Sequence, residues 1–410
     1  MKRIKNIAFV ISRYGENITG GAEKFALWLS EHLQKYWDIT ILTTKAKNYV
    51  TWENEFAKDE AIVNGVKILR FSVDKPRKIE EFNKISAKIF GQKHTKGEEI
   101  KWLKKQGPYS SGLLQYIKEN KGKFDGFIFF QYLYAPTYFG LPLVKNKAIL
   151  VSTAHNERPI YLKVFKNVFS WPRAIIPSTL EELELIRKIF KNQKVPAKII
   201  GTGINTPNKD LINFPKIKKW FKLKNSYIIY MGRISVSKSC HELFEYFQRF
   251  KNQNPINLDL VLTGKAIMDI PKRKDIKFLG FVSEEEKFSL IDGCEFLVNP
   301  SQFESLSMII MEAWLLKKAV LVNGRCEVLK GQCTRSQGGL YYTNYEEFEA
   351  MINWLLTHPK ERKIMGRNGK KYVKANYSWK IIEKKFLDFI PRVLRQNQQS
   401  HRLKNQPEKH

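Results

Sequence analysis

Asn299-Pro-Ser-Gln-Phe-Glu-Ser-Leu-Ser-Met-Ile-Ile-Met-Glu-Ala-Trp314 reads as a strand end, a polar turn and a buried helix. The apolar run Cys294 to Val298 before it predicts a buried strand. Pro300 ends that strand, and Ser301 to Ser305 make a turn. Leu306, Met308, Ile309, Ile310, Ala313 and Trp314 then predict a largely apolar helix, with Ser305 or Ser307 as its cap. Such a unit leaves free backbone N–H groups at the carboxyl edge of a sheet, where open α/β folds bind anions. Two carboxylates interrupt the apolar pattern: Glu304 in the turn and Glu312 about two helical turns in. An unpaired Glu inside a buried helix costs several kcal/mol, on the order of the effective burial penalty. Either a Lys or Arg pairs with Glu312, or the hydroxyls of a ligand do; the strand–turn–helix context and the Glu304 spacing favour a ligand.

The segment resembles the Glu-x7-Glu motif of retaining nucleotide-sugar glycosyltransferases of the glycogen-synthase and sucrose-synthase type, family 4, with the GT-B fold. The resemblance implies that Glu312 holds the nucleotide ribose and that Glu304 touches the donor sugar. Relatives often carry Gly where this chain has Ser305 or Ser307.

Outward from that stretch, the rest of the chain alternates strands and helices. In the second half, the strand Ser226 to Met231 leads into Gly232-Arg-Ile-Ser-Val-Ser-Lys-Ser-Cys-His-Glu-Leu243. Arg233 and Lys238 flank a turn between strand and helix, which makes a pyrophosphate site without a metal. The spacing is similar to the family's Gly-Arg…Lys diphosphate clamp, with Ser239 in place of its usual Gly. Leu258 to Thr263, ending at Gly264, is a further strand and turn, and Ile276 to Phe281 another strand; the loop to Glu284 lies beside the nucleotide base in relatives. With these, the expected nucleotide-sugar site is Arg233, Lys238, Gly264, Glu304, Ser305, Leu306, Ser307 and Glu312. Ala319 to Asn323 is the last strong strand, and the polar stretch Gly324 to Gly339 reads as a long loop lining the donor site.

In the first half, the strand Ile7 to Ser12 is followed by a loop with Gly20 and Gly21, then a helix whose face carries Phe25, Trp28, Leu29, Leu33 and Tyr36. The glycines let the backbone approach a ligand at a helix N-terminus. They resemble the family's Gly-Gly-Ala-Glu segment, at the floor of its interdomain cleft. Asp38 to Thr43 and Val66 to Phe71 predict strands, and residues 74–106 a polar, helical excursion over the acceptor side, broken at Gln106-Gly-Pro-Tyr-Ser110. After the strand Phe127 to Gln131 come Tyr132 and further aromatics, suited either to stacking on sugar rings or to core packing. His155 follows the strand Ala148 to Thr153, at the edge where α/β folds place their chemistry. Family members carry a His here that contacts the donor sugar; many follow it with Asp, where this chain has Asn156. Short strands at Ala174 to Pro177 and Lys198 to Gly201 close the half.

The expected architecture is two doubly wound Rossmann-like α/β domains facing across a cleft. The acceptor-side domain takes residues 1–203 and is completed by a C-terminal helix at about 380–395. The nucleotide-sugar domain takes 204–379, and 396–410 is a polar tail expected to be disordered.

Among 410 residues the formal net charge is +31, which predicts attraction to a polyanion: anionic lipid, nucleic acid, or the pyrophosphate of a substrate. The basic residues are dense from Arg362 to Arg395. No helix-turn-helix, RNA-recognition, KH or zinc-finger pattern appears, so no nucleic-acid partner is expected. No secretory signal or membrane span is read, which suggests a cytoplasmic protein, peripheral on an anionic membrane face. Cys240, Cys294, Cys326 and Cys333 form no metal pattern and fit reduced, buried thiols.

The resemblance implies a retaining transferase acting on a UDP- or GDP-sugar and a sugar or lipid-linked acceptor, in polysaccharide, lipopolysaccharide or glycolipid assembly. Arg233, Lys238, Glu304 and His155 are its expected catalytic set, with Gly20, Gly21, Gln106 and Tyr132 on the acceptor side. No DxD-like motif is evident, so neither metal nor cofactor is expected. Two other readings compete: a sugar-nucleotide epimerase or phosphorylase on the same architecture, and a non-catalytic protein that binds polyanions or nucleic acid.

Overall fold

The computed structural model describes residues 4–404. The chain divides into two units: Met1–Gly203 with Trp379–His410, and Ile204–Ser378. Each is built on one sheet, so the α/β, doubly wound class expected from the sequence is what the structure has.

The sheet of the first unit contains β1 (Asn6–Val10), β2 (Asp38–Thr44), β3 (Glu60–Val63), β4 (Val66–Phe71), β5 (Gly126–Phe130), β6 (Ala148–Val151) and β7 (Ala174–Ile176). Their order is β3-β4-β2-β1-β5-β6-β7, parallel except for β3, which runs antiparallel to β4. Interior strands such as Phe127–Phe130 are buried on both faces, which is why they read as unbroken apolar runs. Edge strand β3 has alternating exposure and no such run, and the sequence reading missed it.

The second unit contains β8 (Ser226–Met231), β9 (Leu258–Thr263), β10 (Ile276–Phe278), β11 (Leu297–Asn299), β12 (Val320–Asn323) and β13 (Gly339–Tyr342). All pair in parallel in the order β10-β9-β8-β11-β12-β13. Counted within the unit this is 3-2-1-4-5-6, the doubly wound dinucleotide-binding order.

Several boundaries differ from expectation. Strand β11 begins at Leu297 rather than Cys294, because Cys294 ends the preceding helix, Glu284–Gly293. Strand β10 stops at Phe278, three residues short. Lys198–Gly201 is not a strand; one bridge, Ile175 to Ala197, and a bond from the Ile200 amide to the Pro177 carbonyl hold this stretch beside β7. The expected loop 324–339 holds a helix, Glu327–Ser336, that buries Val328, Leu329, Gln332, Cys333 and Ser336. Its polar positions disguise the period, since Gln332 and Ser336 are buried but satisfied by Tyr372, Tyr377 and local backbone. The last helix runs Trp379–Lys404, past Gln396, because Gln, Arg and Lys are good helix formers and no Gly stops it. Of the expected disordered tail, residues 405–410 lie outside the described residues. Early in this helix Trp379 stacks on His32, with ring centroids 3.7 Å apart, and Glu383 bonds His32, Lys35 and Tyr36.

Candidate functional site

The strand order of the second unit reverses between β8 and β11. Their chain continuations leave in opposite directions, which opens a crevice at the carboxyl ends of these two strands. The residues singled out in the sequence converge there. Arg233 and Lys238 lie on the turn after β8, and Glu304 to Ser307 on the turn after β11. Lys238 Nζ reaches Glu304 Oε1 at 2.6 Å and so joins two loops 66 residues apart. The lysine side chain is 31% exposed and the carboxylate 15%, so both remain reachable by a ligand. Arg233 is half-buried in the same turn, and its carbonyl accepts the Tyr230 hydroxyl at 2.7 Å.

Glu312 lies within the helix Met308–Leu315 and is buried. Its carboxylate receives Lys287 Nζ at 3.0 Å, from the helix Glu284–Gly293; the two side chains are 12% and 7% exposed. Lys287 also bonds Glu284 at 2.7 Å. A basic partner therefore does hold Glu312, and a ligand at this carboxylate would share it with Lys287. The sequence reading did not single out Lys287. Its one local signal, Glu284 three residues before it, is that of an ordinary exposed helix pair.

Two asparagines at strand ends shape the Pro300–Ser307 turn. Asn299 accepts the Ser301 amide at 3.0 Å and donates to Ser307 Oγ at 2.9 Å. Asn323, at the end of β12, donates to the Pro300 carbonyl at 2.9 Å. Ser307 precedes the helix but does not cap it through its side chain, since its hydroxyl is taken by Asn299. At φ +64° it is in the left-handed region, and so is Ser239 at φ +56°. Both positions suit Gly sterically, in keeping with the resemblance, which implies a Gly at Ser239 and at Ser305 or Ser307. Leu306 is buried and Ser305 half-buried. Gly264 has φ +121°, and a Cβ there would overlap the Gly232 carbonyl. Its lack of a side chain thus serves the close approach of the β8 and β9 ends.

In the first unit, Gly20 precedes the helix Gly21–Leu33, and a Cβ on Gly20 would overlap the Glu23 carboxylate. Glu23 is buried against Arg13, Nη2 to Oε1 at 2.5 Å, and Arg13 also donates to the carbonyls of Lys47 and Thr19. This brace fixes the loop that leaves β1.

Two expected acceptor-side residues have structural employment. Tyr132 is 1% exposed and packs on Phe165 and Phe169, so it fills the core and has no face to offer a sugar. Its hydroxyl bonds Glu157 at 3.3 Å. Gln106 is buried, its carbonyl accepting from Trp52 and Arg77. His155 is half-buried just past β6, in a loop where Thr153 takes φ +46°.

That loop is tied from beneath by Glu182. The Glu182 carboxylate accepts from the Ser152 hydroxyl, the Ala154 amide at 2.7 Å and the Ser178 amide at 2.7 Å. Burial pushes this carboxyl up to about 7, against the opposing pull of those hydrogen bonds. Among the described residues no three His, Cys, Asp or Glu side chains converge to hold a metal ion.

Residues 214–372, all within the second unit, match the family described as Glycosyl transferases group 1. An uncharacterized glycosyltransferase of Methanocaldococcus jannaschii is 24% identical over 220 residues, 49% of this chain and 55% of that relative. The match thus takes in about half of the relative's length. Among solved structures, sucrose-phosphate synthase from Thermosynechococcus elongatus superposes with a TM-score of 0.69 at 15% identity, covering 95% of this chain and 99% of that one. HepE of Anabaena, in complex with UDP and glucose, gives 0.67 at 14% identity, with 94% and 99% covered. The fold is that of GT-B glycosyltransferases.

Proposed function

We propose that this chain is a retaining glycosyltransferase that moves a sugar from a nucleotide diphosphate sugar to an acceptor hydroxyl. The observation that carries the reading is the Lys238–Glu304 pair across the strand-order reversal of a unit that matches the glycosyltransferase family. The Lys238 cation and the Glu304 carboxylate bond each other in the structure. A donor diphosphate draws Lys238 toward its own charge and releases Glu304 to accept hydrogen bonds from the sugar hydroxyls. Arg233, Lys238 and backbone N–H groups of the two turns then stabilise the charge growing on the leaving phosphate, an electrostatic role that asks for no metal. Glu312, steadied by Lys287, accepts from the ribose hydroxyls.

In the transfer step the acceptor oxygen bonds to the anomeric carbon from the face that the diphosphate leaves. The carbon–oxygen bond to the diphosphate breaks, and the departing diphosphate takes the acceptor's proton. His155 of the first unit is assigned a hydrogen bond to the sugar or the departing phosphate. The UDP and glucose bound by HepE support a UDP-sugar as the donor. The +31 charge supports a lipid-linked acceptor at an anionic membrane, as in polysaccharide, lipopolysaccharide or glycolipid assembly, although no described helix is long and apolar enough to cross one.

The test is NMR of the fresh product formed from α-linked UDP- and GDP-sugars with candidate acceptors. An α-linked product is expected. A β-linked product would overturn the mechanism, and an isomerised sugar nucleotide formed without acceptor would establish the epimerase reading.

A further inference from the structure

The dense basic region noted in the sequence is not spread evenly over its helices. In the helix Pro359–Tyr377, Gly366, Gly369 and Val373 face inward. Gly366 closes on the Lys317 backbone and Gly369 on the Trp314 ring, which fixes the rotation of the helix about its axis. At about 100° per residue, the positions Lys360, Lys363, Ile364, Arg367, Lys370, Lys371 and Lys374 then share one sector of roughly 120°.

Six of those seven positions are cationic, whereas the whole chain has 71 Lys and Arg in 410 residues, about one in six. Compositional bias therefore does not explain the sector. Five of the six cations are exposed and Lys370 is half-exposed. None has a carboxylate within ion-pair distance among the described residues. Lys317, Lys209 and Lys374 all act on Lys370 as like charges, so the row widens into a cluster at its end. The row extends about 21 Å from Lys360 to Lys374, at 1.5 Å per residue.

We propose that this helix face is the surface by which the chain lies on an anionic lipid bilayer. A straight row of unpaired cations complements a plane of negative headgroups, and a helix with four to eight such residues is the known pattern for it. Ile364, 51% exposed in the middle of the row, is placed to enter the headgroup boundary. The sector carries no aromatic ring on which a nucleic-acid base could stack. This deepens the membrane-apposed part of the functional reading and is independent of the donor site. A vesicle assay without nucleotide therefore tests it separately.

The probes are sedimenting vesicles of phosphatidylcholine with and without phosphatidylglycerol. The parent should bind only the anionic vesicles, and less as salt rises. The variant K363Q/R367Q/K370Q/K374Q should partition more weakly by roughly 600-fold, since each of the four cations near such a surface contributes about fivefold. Its thermal unfolding and nucleotide binding should match the parent's, because Gln is also a good helix former. A control of equal charge change, K84Q/K93Q/K96Q/K101Q on the first unit, should lose much less. Equal loss in the two variants would overturn the proposal, as would binding to neutral vesicles or no binding by the parent. Binding to a DNA or RNA duplex that depends on the same four residues, with none to vesicles, would transfer the surface to nucleic acid.

Discussion

Replacing Lys287 by Met should destabilise the second unit and weaken nucleotide binding together. The Lys287–Glu312 pair is 3.0 Å long with side chains 12% and 7% exposed, so solvent screens it little. Removing one partner of a buried pair costs roughly 3–5 kcal/mol, because the other charge stays buried without that ion pair. The residual exposure of Lys287 and its second bond to Glu284 place K287M at the lower end, about 3 kcal/mol. Adding E312Q removes the stranded charge, so K287M/E312Q should recover about half of that loss. The assay is urea unfolding of parent, both single variants and the double variant, followed by tryptophan emission; Trp314, buried on the Glu312 helix, reports on the second unit. UDP titration of the folded variants completes the set. A K287M protein as stable as the parent would refute the reasoning, and so would a double variant no more stable than K287M.

Ser239→Gly relieves a left-handed residue whose side chain makes no cap, and should stabilise by about 1 kcal/mol in the same denaturation assay. Glu182 has its carboxyl raised from 4.5 to about 7, so its stabilising share is full below pH 4.5 and declines as pH rises to 7. The stability advantage of the parent over E182Q should therefore shrink by on the order of 3 kcal/mol across that window; a gap constant with pH would show that this group does not titrate there. His155→Ala should lower kcat by roughly 10²–10³ while leaving UDP affinity unchanged; a folded, fully active H155A protein would make His155 structural.

The strands of both sheets were legible because parallel interior strands are buried on both faces and so read as short apolar runs. Glu60–Val63 and Gly339–Tyr342 were not, since each is an edge strand and needs no such run. The turns after β8 and β11 could be located from Arg233, Lys238 and Glu304, but their meeting was implied by the family resemblance alone and not by any local pattern. Only the order of the strands makes loops 66 residues apart neighbours. Glu312 advertised a need for a partner through its burial pattern. The identity of that partner depended on how the helix Glu284–Gly293 packs, which no local spacing encodes. Tyr132 shows the opposite failing: an aromatic after a strand looks the same in sequence whether it faces a sugar or, as here, Phe165 and Phe169. Ser239 and Ser307 stood out only as departures from a Gly pattern; their positive φ supplies the physical reason for that pattern.

The central claim, a nucleotide site built by Arg233, Lys238, Glu304 and Glu312, is tested most directly by calorimetric titration of UDP and GDP into the parent, E304Q and E312Q proteins, with and without EDTA. The account predicts that the parent binds one of the nucleotides with the same affinity in EDTA. E312Q should weaken that binding by roughly 1.5–3 kcal/mol, the value of hydrogen bonds to a charged group, and E304Q should leave it nearly intact. Binding that vanishes in EDTA, or a folded E312Q protein that binds like the parent, would contradict it.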